Sequence, residues 1–120
     1  MRPHKNLKAW QEAIALVKVV YTLTKGFPED EKFGLVSQFR RAAVSVSLNI
    51  AEGAGRVGSK EYCHFLSIAL GSLSELDTLS VISFELNLID LNVYKDLEAK
   101  IEQVTALTNG LYKFQKTSHS

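Results

Sequence analysis

Gln38–Gly58 reads QFRRAAVSVSLNIAEGAGRVG, and the fold turns on whether this stretch is a helix or a strand. As a helix it sets Val36, Phe39, Ala43, Val46 and Ile50 at the three- and four-residue spacing that keeps one stripe toward a core. As a strand, residues 43–50 alternate tolerably, and the Gly53, Gly55 and Gly58 that follow spell G-A-G-R-V-G, a formal match to the dinucleotide-binding fingerprint. That fingerprint works only between a buried parallel strand and a helix, inside a sheet with further strands. The acids found about 20 residues further on, where the fingerprint wants a ribose ligand, are Glu75 and Asp77, and both fall within a helical pattern. The glycines read better as helix punctuation, allowing positive φ and a tight reversal.

Working outward, every other segment is helical. Leu7, Trp10, Ile14, Val17 and Tyr21 form a stripe over about residues 6–25, with Asn6 placed to cap it and Gly26 and Pro28 to end it. Residues 27–34 form a connector with a single helical turn. Its acids Glu29, Asp30 and Glu31 follow Pro28, where a helix start favours negative charge; they are capping charges rather than a metal site. The central helix covers about residues 35–54, with the glycines terminating it.

Ser59 then caps a third helix, about residues 60–88, carrying Tyr62, Phe65, Leu66, Ala69, Leu70, Leu73, Leu76, Leu79, Ile82 and Leu86. A helix apolar over so much of its circumference calls for burial on more than one side, by its own bundle and by a second subunit. Gly71, Ser72 and Ser74 weaken its middle unless a neighbouring helix approaches closely there. Asp90 or Asn92 caps a last helix, about residues 93–115, with Leu97, Ile101, Val104, Leu107, Leu111 and Phe114 on its stripe; residues 117–120 read as a disordered tail. Short connectors force neighbouring helices to run in opposite directions. The expectation is an all-α, antiparallel up-down-up-down four-helix bundle, a single domain over residues 1–120.

A chain of 120 residues, 46% apolar and 22% charged, suits one globular domain. Its net charge of +1 hides an asymmetry: residues 1–60 hold ten Lys/Arg against five Asp/Glu, and residues 61–120 hold four against eight. The single Cys63 excludes an intrachain disulfide. The basic start lacks the apolar run of a signal peptide, and eighteen uninterrupted apolar residues occur nowhere. These features predict a soluble cytoplasmic protein with no membrane partner.

Catalytic chemistry finds little support. The histidines are His4, His64 and His119, and His64 beside Cys63 points about 100° away from it on a helix. No CxxC, HxxxH or HExxH spacing offers a metal site, and no cofactor is implied. The reading is a non-enzyme. Arg40 and Arg41 are adjacent, so one at most faces the core, and it then needs a carboxylate such as Glu75 or Glu52. For a polyanion the supply is Arg2, Lys5, Lys8, Lys18, Lys25, Arg40 or Arg41, Arg56 and Lys60, which would position phosphates without reading bases.

FPEDEKFGLVSQFRRAAVSVSLNIAEGAGR (residues 27–56), KEYCHFLSIALGSLSEL (60–76) and LKAWQEAIALVKVVYTLTKGFP (7–28) together resemble the four-helix bundle proteins also called 23S rRNA-intervening sequence proteins. The match runs from Leu7 to Leu111, with NIAEG and GSLSEL its most specific segments. Ser47 departs from the pattern, standing where the family often has proline; its presence removes a kink, not a functional group. The resemblance implies a homopentameric ring. It also implies kinship with the basic accessory proteins of diversity-generating retroelements, which bind RNA and associate with a reverse transcriptase. Gln38, Arg41, Asn49, Glu52, Gly53 and Glu75 are then motif positions of bundle and subunit architecture. The functional expectation is an oligomer that binds structured RNA, with a protein-interaction scaffold as the alternative.

Overall fold

The computed structural model describes residues 2–118. Its four long helices are α1 (Lys8–Thr24), α2 (Ser37–Ala54), α3 (Ser59–Glu85) and α4 (Leu91–Ser118). No strand occurs among the described residues, so the glycines of Gly53–Gly58 have no sheet in which to act as a dinucleotide fingerprint. The main packing runs α1 on α2, α2 on α3, α3 on α4 and α4 back on α1, giving a bundle 46 Å long and 22 × 21 Å across.

The deciding stretch is helical for the reason its spacing gives. Phe39, Ala43, Val46 and Ile50 are fully buried and Val36 nearly so, joined by Leu66, Leu73 and Leu76 of α3 and Leu97 and Val104 of α4. Each fully buried aliphatic side chain contributes about 1.5–3 kcal/mol. Ser47 is also buried, its hydroxyl donating to the Val44 carbonyl at 2.9 Å, and α2 continues through it without a break.

The first helix is rotated from expectation. Its buried line is Ala9, Ala13, Leu16 and Val20, whereas Leu7, Trp10, Ile14 and Val17 flank the core half-buried and Tyr21 is exposed. Its apolar arc is wide, so spacing locates the arc but not its centre; alanines occupy the line of closest approach. On α3 the core line includes Ser72, Ser80 and Ser83, while Ile82 and Leu86 point outward. Phe114 of α4 is likewise exposed.

The helix ends hold other differences. Asn6 closes a short 3₁₀ turn (Pro3–Asn6) instead of capping α1, which Leu7 precedes without a side-chain cap. A 3₁₀ turn (Glu29–Glu31) and a wide turn (Lys32–Val36), kinked at Gly34, lead into α2. Gly58 at φ 96° allows the α2–α3 reversal, and Ser59 is the first residue of α3, without a capping bond at the residue before it. Helix α3 stops at Glu85 because Asn87 takes φ 61°. Asp90 caps α4 as expected, accepting from the Val93 amide at 2.8 Å. Helix α4 runs through Thr117 to Ser118, in place of the expected tail; His119 and Ser120 lie outside the described residues.

Gly53 is not punctuation. It sits buried within α2, where an added Cβ would lie 3.0 Å from Tyr62 Cδ1 and 3.1 Å from the Tyr62 carbonyl oxygen. The absence of a side chain lets α3 cross α2 tightly. Ser72 meets Ser45 of α2 at 2.9 Å, the close approach expected of the small residues on α3, but Gly71 faces open space.

Candidate nucleic-acid interface

Contacts between helix ends bring the basic residues into register. Arg2, Pro3 and His4 lie against Leu48, Ala51, Glu52 and Gly55 at the end of α2. Gly53 packs under Tyr62 and Phe65 at the start of α3, and Cys63 Sγ approaches the Tyr112 carbonyl of late α4 at 3.8 Å. One end of the bundle therefore gathers the N-terminal turn, the start of α1, the α2–α3 reversal and the last turns of α4. It carries Arg2, Lys5, Lys8, Arg56, Lys60, Lys113 and Lys116, with Glu12, Glu52 and Glu61 as its acids. The opposite end carries Glu29, Asp30, Glu31, Glu85, Asp90 and Asp96 against Lys25, Lys32 and Lys95. The charge asymmetry between the sequence halves thus has a counterpart between the bundle ends.

The cations predicted from sequence divide accordingly. Arg2, Lys5, Lys8, Arg56 and Lys60 share the basic end. Lys18 lies on the α1–α4 flank beside Asp96 and Lys100, and Lys25 closes α1 at the acidic end. Arg40 lies on the α1–α2 seam, where its Nε donates to Thr24 Oγ1 at 3.0 Å and its guanidinium stacks 4.5 Å from the Tyr21 ring. Lys113 and Lys116 were missed; the sign available in the sequence was the favourable placement of cations in a last helical turn.

Arg56 is the best-held cation. Its Nη2 donates to Glu52 Oε2 at 2.7 Å, its Nη1 lies 3.9 Å from Glu61, and its guanidinium stacks 4.9 Å from the Phe65 ring. Glu52, one of the two carboxylates available to an inward Arg40 or Arg41, thus serves Arg56. Arg41 is exposed, so neither arginine of the pair enters the core with a carboxylate.

The motif positions converge on the α2–α3 seam. Asn49 Nδ2 donates to the Ser45 carbonyl at 2.9 Å and Ser45 bonds Ser72 across the helices. Gln38, Arg41 and Glu75 line an open groove with Ser45 and Ser72. Among the described residues no group of three His, Cys, Asp or Glu is arranged to hold a metal ion.

Lys8 is tied back to Glu12 at 3.1 Å, and Glu12 also accepts from Lys100 of α4, bridging α1 and α4. The Lys100 hydrogen bond, then that of Lys8, holds the Glu12 carboxyl below its ordinary value of 4.5. The folded chain therefore binds this proton less tightly than the unfolded one. The stabilisation is complete above the unfolded value and is lost as pH falls through the folded one. Glu12→Gln is expected to be less stable than the parent at pH 7, with the difference shrinking as the pH falls below 4.5; urea unfolding across that range measures it.

The α3–α4 seam has the opposite character. Asp77, Glu98 and Glu102 line a groove there. Burial, then the neighbouring Asp77, pushes the Glu98 carboxyl up, and Ser80 only partly counters this. Burial, then Glu98, Asp77 and Glu85, raises the phenol of Tyr94, which stacks on Phe84 at 4.7 Å.

Fold and surface together define a helical-bundle protein with seven of its fourteen Lys/Arg at one end. The chain belongs to the 23S rRNA-intervening sequence protein family, whose model matches residues 5–110. It is similar in fold to a crystal structure from Bacteroides thetaiotaomicron, a protein with unknown function from the S23 ribosomal protein family. The two are 18% identical, with a TM-score of 0.79 over 88% of this chain and 95% of that one. No curated protein matches the chain.

Proposed function

We propose that this chain is a non-enzymatic, antiparallel up-down-up-down bundle that assembles into a homopentameric ring and holds structured RNA against its basic end. The observation that carries the RNA reading is the gathering of Arg2, Lys5, Lys8, Arg56, Lys60, Lys113 and Lys116 at one end of the bundle. Side chains of this kind neutralise phosphates and release counterions without selecting bases. The alternating helix direction is supported by Ser45–Ser72 with Gly53–Tyr62 on α2 and α3, and by Cys63–Tyr112 with Phe84–Tyr94 on α3 and α4, whose numbering runs oppositely along the paired helices. Self-association is supported by α3. It is long and apolar enough in composition to cross a membrane, yet only 39% of that apolar window is buried within the chain. Fivefold closure rests on the family resemblance, as does a reverse transcriptase as protein partner.

Fluorescence anisotropy with a structured rRNA fragment, at low and moderate salt, tests the RNA reading. Micromolar or tighter binding that falls steeply with salt is expected. Reversing Arg56, Lys60 and Lys116 to glutamate is expected to weaken it at least about tenfold and to lower the salt slope by about 2–3. Lys18→Glu and Lys25→Glu, away from that end, are expected to change affinity by no more than about twofold. Equal losses from both sets would refute the assignment of the end. No binding at low salt would retire RNA altogether and leave the protein-interaction scaffold.

A further inference from the structure

Two seams on opposite flanks of the bundle carry unmatched charge of opposite sign. Because α2 packs on α3 and α4 packs on α1, the α1–α2 and α3–α4 seams face away from each other. The α1–α2 seam is basic: Arg40 and Arg41 edge a shallow groove with Tyr21, Val44 and Leu48, and no carboxylate lines it. Arg40 is held by Thr24 and Tyr21, whereas Arg41 is exposed and makes no hydrogen bond or ion pair among the described residues. Leu48 beside it is 62% exposed.

The α3–α4 seam is acidic, and its groove has no basic lining residue. Glu98 Oε2 is closed to solvent and lacks a hydrogen-bond partner. The fully buried Ser80 lies against the same carboxyl, and its hydroxyl makes no well-formed hydrogen bond. Lys95, one turn earlier on α4, forms no ion pair among the described residues. The seam is short of a donor.

The two seams also stand at the same height. Arg41 shares its α2–α3 groove with Glu75. Asp77 lies two residues further along α3, a rise of about 3 Å, and lines one groove with Glu98. A second copy set flank to flank, without sliding along the bundle axis, brings Arg41 opposite Asp77 and Glu98.

We propose that Arg41 of a second copy occupies the acidic α3–α4 seam, so that copies join head to tail, the α1–α2 flank of one on the α3–α4 flank of the next. This rests on the oligomeric reading above and names its interface. A guanidinium supplies the paired donors that two adjacent carboxylates accept, and it relieves the cost of a half-buried negative charge. The contact joins two different patches, so repeating it adds copy after copy rather than stopping at a dimer, and it gives a ring where the rotation closes and an open filament where it does not.

Light scattering coupled to gel filtration, at about 20 µM where mass action favours assembly, tests it on the parent chain, Arg41→Glu, Asp77→Lys and the double variant. Both positions are exposed, and circular dichroism checks that helicity is unchanged. The parent is expected to be an oligomer. Each single reversal is expected to weaken assembly at least about tenfold through like charges at every junction, and the double variant to recover most of it. An Arg41→Glu protein that assembles like the parent, or a double variant no better than the singles, overturns the interface and leaves the oligomer standing. A monomeric parent overturns both.

Discussion

Replacing Phe39 by alanine is expected to cost about 3–5 kcal/mol, the upper range for single substitutions in a core. Phe39 is the largest fully buried side chain, and it meets the ring of Phe27 edge-on at 6.2 Å. Removing it takes apolar area from the centre of the bundle and leaves a cavity that the rigid helices around it cannot fill by collapse. Against a total stability of about 5–15 kcal/mol, that loss brings the chain close to unfolding at ambient temperature. The melting temperature is expected to fall by about 15 °C. Urea unfolding should show a lower midpoint at unchanged slope. A loss under about 1 kcal/mol would mean that the core does not close over this ring as described.

Gly53→Val is expected to be nearly as damaging, by the opposite route. There the problem is excess volume: the new Cβ would be 3.0 Å from Tyr62 Cδ1, 3.1 Å from the Tyr62 carbonyl oxygen and 3.2 Å from Phe65 Cβ. One of those atoms is backbone, so side-chain rotation alone cannot clear the site. Overpacking of this kind costs about 2–3 kcal/mol, lowering the melting temperature by about 10 °C. Gly71→Ala is the matched control. Nothing lies within 4 Å of its added methyl, so the helix should gain about 0.5–1 kcal/mol from lost unfolded-state freedom. Thermal melts of the two variants should therefore move in opposite directions. Equal destabilisation would show that Gly71 is covered in solution by something outside its own bundle.

How far these features were legible differs from residue to residue. The α2 stripe was readable because Phe39, Ala43, Val46 and Ile50 are apolar on one face with polar neighbours on the other. The centre of α1 was not, since apolar residues surround most of that helix and only packing picks out Ala9 and Ala13 as the line of contact. The inward turn of Ser80 and Ser83 was equally hidden, because a hydrophobicity pattern places serine outside. Gly53 gave a visible signal with the wrong meaning. Glycine marks either a turn or a close approach, and only the position of Tyr62 decides between them. Among the basic residues, Arg56 and Lys60 could be put together by the short reversal between them. Adding Lys113 and Lys116 required knowing that the end of α4 returns to the start of α3.

An isoelectric point near 7.9 speaks at first sight against a polyanion as partner. That figure averages over a molecule 46 Å long, whereas electrostatic potential in physiological salt decays over about 8 Å. The two ends are thus several screening lengths apart and do not feel each other. A nucleic acid approaching the α2–α3 reversal meets a local field set by Arg56, Lys60 and Lys116, while the acids near Asp90 are invisible to it. In a ring of parallel copies the same sorting would give one positive rim and one negative rim, so a nearly neutral chain would present two electrostatically distinct faces.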